Sequence, residues 1–164
     1  MMIHLNDEQD PGIELEQALQ RALALTGPHV LQSARPGPHR LDVIVAPDDL
    51  PQAVAVLINA RWGYLAAITG LDLGLEEGLI EAIYHFCAGP DILWVRVRMP
   101  RDEAQLPTIC DVIPSASFYE RELSEMLGVT VRGTPDPRSL FLPEEWPQGV
   151  YPLRKDYEPE AGNA

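Results

Sequence analysis

Residues 79–99 read LIEAIYHFCAGPDILWVRVRM, and this stretch decides the fold. Trp94, Arg96 and Arg98 alternate with Leu93, Val95 and Val97, a period of two that puts one set of side chains on a core and the other on a wet face. Gly89-Pro90-Asp91 is turn chemistry between two such runs, so 79–88 and 92–99 are expected to form a hairpin. Working upstream, Tyr64–Thr69 and the β-branched run LDVIVA at 41–46 suit two further strands. Asp48 and Asp49 are placed to cap a helix whose Leu50, Val54, Leu57 and Ile58 share a face. An earlier helix is expected from Asp10-Pro11, with Leu15, Leu19, Ala22 and Leu23 at helical spacing and a stop at Gly27-Pro28. Residues 27–40 hold Pro28, Pro36, Pro38, Gly27 and Gly37 and are expected to be a loop.

Downstream of Pro114 the period changes to that of a helix over about 117–127. Phe118, Tyr119, Leu123, Met126 and Leu127 are its apolar positions and Gly128 its stop. Ser117 with Glu120 has capping-box spacing, and Arg121 with Glu125 is spaced for an i,i+4 pair. A short strand is expected near 129–132. From there six prolines fall between Pro135 and Pro159, which no helix or ladder accommodates. Leu140, Phe141, Leu142, Trp146, Val150, Tyr151 and Leu153 nevertheless give this segment more apolar surface than a solvated linker carries. The expected organisation is a two-layer α+β sandwich over 1–132, with a mixed sheet and helices on one face, followed by an extended proline-rich docking tail over 133–164.

Composition removes several function classes. The chain of 164 residues carries 25 Asp and Glu against 12 Lys and Arg, a net charge of −13, which suits neither nucleic acid nor an anionic lipid surface. Eleven of the twelve bases are Arg, and the one Lys is Lys155. No apolar run approaches the ~20 residues of a membrane span, and the polar, acidic start MMIHLNDEQD is unlike a signal peptide, so a cytoplasmic location is expected. There is no dinucleotide or Walker glycine motif; Gly70, Gly74 and Gly78 read as turn glycines. There is no C-x-x-C, and Cys87 and Cys110 do not make a disulfide scaffold. A metal site from His85, Cys87 and Cys110 is weighed and set below ordinary strand residues. Ser115 and Ser117 lack a nucleophile elbow.

Several motifs occur together from the hairpin to the end: VRVRMP (95–100), IPSASFYERELSEMLGV (113–129), GTPDPRSLFL (133–142) and YPLRKDY (151–157). In this order they resemble the 30 kDa subunit family of respiratory complex I, the proton-pumping NADH–quinone oxidoreductase of bacteria. The matching positions are Glu120, Arg121, Glu122, Glu125, Met126 and Leu127, then Gly133, Pro135, Asp136 and Arg138, then Pro152, Leu153, Arg154, Lys155 and Asp156. A weaker run, LAAITGLDL (65–73), resembles the family's early L-x-x-L-T-x-x-D region. The family has His or Lys where this chain has Thr134.

The resemblance implies a subunit with no cofactor, metal or catalytic residue of its own, on the cytoplasmic side of the bacterial plasma membrane. It implies partners: the large subunit bounding the quinone cavity, and neighbouring iron–sulfur subunits. Glu120, Arg121, Glu122, Glu125, Pro135, Asp136, Arg138, Trp146, Pro152, Leu153, Arg154, Lys155 and Asp156 are the candidate assembly residues. Arg121, Arg138, Arg154 and Lys155 are expected to bond the partner, and the apolar tail to find its burial on an outside surface. Related subunits in membrane-bound nickel–iron hydrogenases and formate hydrogenlyases give a second reading. A stand-alone enzyme using His85, Cys87 or the Glu120–Glu122 carboxylates is the third, disfavoured by the missing cofactor loops.

Overall fold

The computed structural model describes residues 16–159. The hairpin expected at 79–99 is its centre. Strands β4 (Leu79–Ala88) and β5 (Asp91–Pro100) pair in continuous antiparallel register from Leu79↔Pro100 to Ala88↔Asp91. Gly89 makes the turn at φ 61°, a backbone that favours glycine. Around them lie β1 (Val30–Gly37), β2 (Arg40–Val45) and β3 (Tyr64–Gly74), in the order β1-β2-β5-β4-β3. Only the β2–β5 pair is parallel, so the sheet is mixed.

Alternation assigns the two faces. Leu41, Val43, Val45, Ile80, Ala82, Tyr84, Phe86, Leu93, Val95, Val97 and Met99 are buried on one side. Helices α1 (Gln17–Thr26), α2 (Leu50–Asn59) and α3 (Ala116–Leu127) join that core through Leu19, Ala22, Leu50, Ala53, Val54, Leu57, Leu123 and Leu127. The result is the expected α+β two-layer arrangement. Arg21 and Trp62 donate to Ala60 O and Ala18 O and so tie α1 to the end of α2. Two short strands, β6 (Gln105–Pro107) and β7 (Thr130–Arg132), form a separate parallel pair, so the short strand expected near 129–132 does not extend the main sheet.

Four local expectations change. Residues 30–37 are a strand rather than a loop: this is an edge strand, its register shifts between Ala34 and Gly37, and Pro36 sits in that irregularity, where a missing N–H costs nothing. Gly70 is not a turn glycine. It lies inside β3, where a Cβ would come within 2.2 Å of Leu127 Cδ1 and 2.6 Å of Leu123 Cδ2, so its lack of a side chain lets α3 pack directly on the sheet. Asp49 at the start of α2 makes no side-chain cap, and Ser117 lies inside α3 rather than at its cap; Asp48 pairs instead with Arg132. Finally, the face of β5 expected to be wet holds Arg96 almost fully buried among carboxylates. The helix start at Asp10-Pro11 lies outside the described residues.

Candidate functional site

Helix α3 carries the E-R-E motif and sends its side chains in two directions. Glu120 points inward and is fully buried. Its carboxylate accepts from Ile109 N–H at 2.8 Å, from the Thr108 hydroxyl at 2.6 Å and from the Cys110 thiol at 3.2 Å. The capping box expected with Ser117 is therefore absent: Glu120 fixes the 108–110 turn against the helix instead. Burial, with the Glu120 charge beside it, pushes the Cys110 thiol up to about 11, so Cys110 stays a neutral thiol donor. Tyr84 reaches toward the same place, and its fully buried hydroxyl has no hydrogen-bond partner among the described residues.

One residue on, Arg121 faces the segment after β7. Its Nε donates to Arg138 O at 2.7 Å, Nη2 donates to Ser139 O at 2.6 Å, and Nη1 lies 3.3 Å from the Asp136 carboxylate. Glu125, one turn further, accepts from Leu140 N–H at 2.5 Å and Phe141 N–H at 2.9 Å. The expected i,i+4 pair between these two residues gives way to a clamp: a cation takes the carbonyls and a carboxylate the amides of one strand of backbone, 138–141. Asp136 is held well below the usual carboxylate range, first by the forked bond from Arg138. A cavity of about 350 Å3 is lined by the clamp residues Arg121 and Glu125, by Arg138 and Ser139, and by Thr134.

The last motif closes on the C-terminal end of α3. Leu153 N–H donates to Met126 O, and Arg154 donates to Leu127 O at 2.9 Å and to Arg101 O at 3.2 Å, satisfying carbonyls that a helix end leaves open. Gly128 at φ 74° ends the helix, and a Cβ there would meet the Tyr151 ring at 2.5 Å. Lys155 N–H donates to Asp72 Oδ2 at 2.8 Å, Arg101 forks onto the same carboxylate at 3.0–3.2 Å, and Asp156 pairs with Arg101. Burial raises the Asp72 carboxyl, but the Arg101 guanidinium and the N–H groups of Lys155 and Gly74 outweigh it and hold it at about 2.

The candidate residues therefore differ in what the folded chain does with them. Arg121 and Arg154 donate to backbone carbonyls within the chain, contacts the helical spacing does not reveal. Arg138 has an 82% exposed side chain, and Pro135 is exposed as well. Glu122 is half-buried, and its carboxylate joins no hydrogen bond or ion pair among the described residues. Trp146 bonds Val150 O and lies beside Tyr157, while Pro152 is half-buried. Phe141 and Leu153 are 62% and 57% exposed although their backbones are fastened. His85 and Cys87 lie on the sheet face away from Cys110; among the described residues no three His, Cys, Asp or Glu are grouped to hold a metal. The sequence reading missed Asp72 and Arg101 as the anchor of the last motif; Asp72 is the acid that closes LAAITGLDL, so the signal was there.

Comparison with known proteins decides the family. Residues 43–163 match the family described as respiratory-chain NADH dehydrogenase, 30 Kd subunit. The chain belongs to that family. It is 36% identical over 121 residues to the corresponding NADH-quinone oxidoreductase subunit of Ruegeria pomeroyi, covering 71% of this chain and 60% of that protein. It is 41% identical over 87 residues to the membrane-bound hydrogenase subunit beta of Pyrococcus furiosus, covering 52% and 50%. The chain thus spans between half and three fifths of the length of these relatives. A chain in the structure of the membrane-bound sulfane sulfur reductase, an archaeal respiratory membrane complex, superposes with a TM-score of 0.72 at 26% identity, over 85% of this chain and 83% of that one. The relatives of this chain thus include subunits named for NADH-quinone oxidoreductases and for membrane-bound hydrogenases. Among the described residues no helix is long and apolar enough to cross a membrane.

Proposed function

We propose that this family member is a non-catalytic structural subunit in the peripheral arm of the proton-translocating NADH–quinone oxidoreductase, on the cytoplasmic side of a bacterial membrane. In this reading it docks on the large quinone-cavity subunit and supports electron transfer from NADH to quinone without carrying electrons itself. The observation that carries the reading is the double clamp on residues 133–157. Arg121 and Glu125 grip one end and Asp72 with Arg101 the other, while Phe141 and Leu153 are left facing outward. A segment fixed by its backbone with its apolar side chains unburied is ordered before a partner arrives, which lowers the entropy lost on docking. Arg121 and Arg154 then act in assembly by shaping the tail, and Arg138, Glu122, Phe141 and Leu153 meet the partner.

The equivalent place in a hydrogenase-type complex is favoured by two observations: the 41% identity to the hydrogenase subunit, and Thr134 at the position where the complex I resemblance expects His or Lys. Affinity purification of the tagged chain from native membrane separates the two. Flavin- and NADH-oxidising subunits in the eluate support the first reading and a nickel-containing subunit the second. NADH oxidation or quinone reduction by the purified chain alone would overturn both.

A further inference from the structure

The sheet face opposite the helices is not an ordinary solvated face. Arg40, Asp42, Glu81, Arg96 and Arg98 form one connected network on it. Arg96 donates to Glu81 at 2.7 Å and to Asp42 at 3.1 Å, Arg40 forks onto Asp42 at 2.8 and 3.0 Å, and Arg98 donates to Glu81 at 2.9 Å. Asp42, Glu81 and Arg96 are buried although none of the three helices packs on this side. Trp94 sits in the middle, with the Arg40 guanidinium 3.4 Å over its ring and His85 edge-on at 4.9 Å. Around the network Tyr64, Leu71 and Ile92 are 62%, 41% and 36% exposed. Trp, Tyr and Arg held rigidly beside apolar side chains are what interface centres are made of.

Charge selects the occupant. Three guanidiniums face two carboxylates here, so the face is net cationic in a chain whose total is −13. A second copy docking by the same face would set these arginines against each other, because a two-fold interface apposes identical patches. Nucleic acid is repelled by the rest of the chain. We propose that the sheet face left uncovered by the described residues is a second docking surface, for a protein subunit that presents carboxylates to Arg40 and Arg98 and apolar side chains to Trp94, Leu71, Ile92 and Tyr64. The inference rests on the reading of the chain as a subunit of a complex, and it concerns a surface separate from the tail.

Thiol footprinting tests it. Cys87 is half-buried on this face, and Leu71→Cys adds a second probe; maleimide labelling is followed in the purified chain and in the complex extracted from membrane. Both thiols are expected to react in the purified chain and to be protected about tenfold or more in the complex. In chains with an intact tail, Leu71→Glu and Arg98→Glu should lower incorporation into the complex while their thermal unfolding stays cooperative, and Arg98→Lys should restore it. Equal labelling rates in chain and complex overturn the proposal and leave the tail reading standing. Protection already present in the purified chain, with a monomer or a dimer mass by light scattering, also overturns it, by making this chain or a second copy the occupant. A chain that co-purifies with no other subunit overturns the inference and the subunit reading together.

Discussion

Asp72 and Arg101, 29 positions apart in the chain, meet through a forked ion pair with contacts of 3.0–3.2 Å, and the tail closes on both of them. The Asp72 side chain is only 1% exposed, so its charge is held entirely by these partners and by the N–H groups of Lys155 and Gly74. The same carboxylate therefore binds sheet, connecting turn and C-terminal motif into one unit.

That arrangement has a pH signature. The Asp72 carboxyl stands at about 2 in the folded chain against an ordinary value of 3.8. Because the folded value is the lower one, its contribution, about 2 kcal/mol, is present above pH ~4 and is lost as pH falls from ~4 to ~2. Asp72→Asn should cost ~3 kcal/mol at neutral pH, since it leaves the buried Arg101 with Asp156 as its one remaining carboxylate among the described residues. Urea melts of both proteins between pH 2 and 7 should show the difference closing on the acid side; a constant gap would contradict the anchor.

Glu120 predicts a different pattern. Glu120→Ala leaves the buried Ile109 N–H and the half-buried Thr108 hydroxyl without this acceptor, which costs ~3 kcal/mol by thermal melting. Glu120→Gln, which keeps one acceptor oxygen, should cost less. Tyr84→Phe removes a hydroxyl that has no partner among the described residues and should change stability by less than ~1 kcal/mol.

Gly70 and Gly128 are packing glycines at the two contacts of α3. Gly70→Ala pushes a methyl into Leu123 and Leu127 and should cost ~1–3 kcal/mol, lifting the helix from the sheet. Gly128→Ala strains a left-handed residue and strikes Tyr151, so it should loosen the tail as well. Hydrogen exchange at Leu153 and Lys155 N–H, both bonded across this boundary, should accelerate in Gly128→Ala.

Truncation after Gly133 should leave a domain that still unfolds cooperatively, because the core residues all precede it. It removes the Lys155 N–H from Asp72 and the partners of Arg121 and Glu125, so the melting temperature should fall, by about 2–4 °C for each kcal/mol lost. Association with the other subunits should be abolished. Native-affinity binding by the truncated chain would show that the tail is not the anchor.

How far the sequence could be read follows from the range of each interaction. The 79–99 hairpin and α3 were legible because alternation, turn residues and helical spacing are local signals, and the motifs at 120–127, 133–138 and 152–156 marked the residues that gather at the end of α3. What escaped was long-range. Pro36 and Pro38 hid β1, whose edge position only the sheet order reveals. Arg121 and Glu125 have pairing geometry on an isolated helix, but each finds better partners in backbone 15–18 residues away. Arg96 sits in a wet-face pattern and is buried by carboxylates 15 and 54 residues distant. No spacing rule encodes such contacts.

The central claim, that the motif serves assembly rather than chemistry, is tested most directly by Arg121→Ala in cells that carry it as their only copy of the chain. Glu120 and Glu122 diverge by about 200° around the helix, so they do not converge on one substrate. Native gels with activity staining should show assembled complex reduced about tenfold, equivalent to about 1.4 kcal/mol of docking energy, with turnover per assembled complex nearly unchanged. Normal amounts of complex with a large loss of turnover would contradict the account and place catalytic chemistry at this helix.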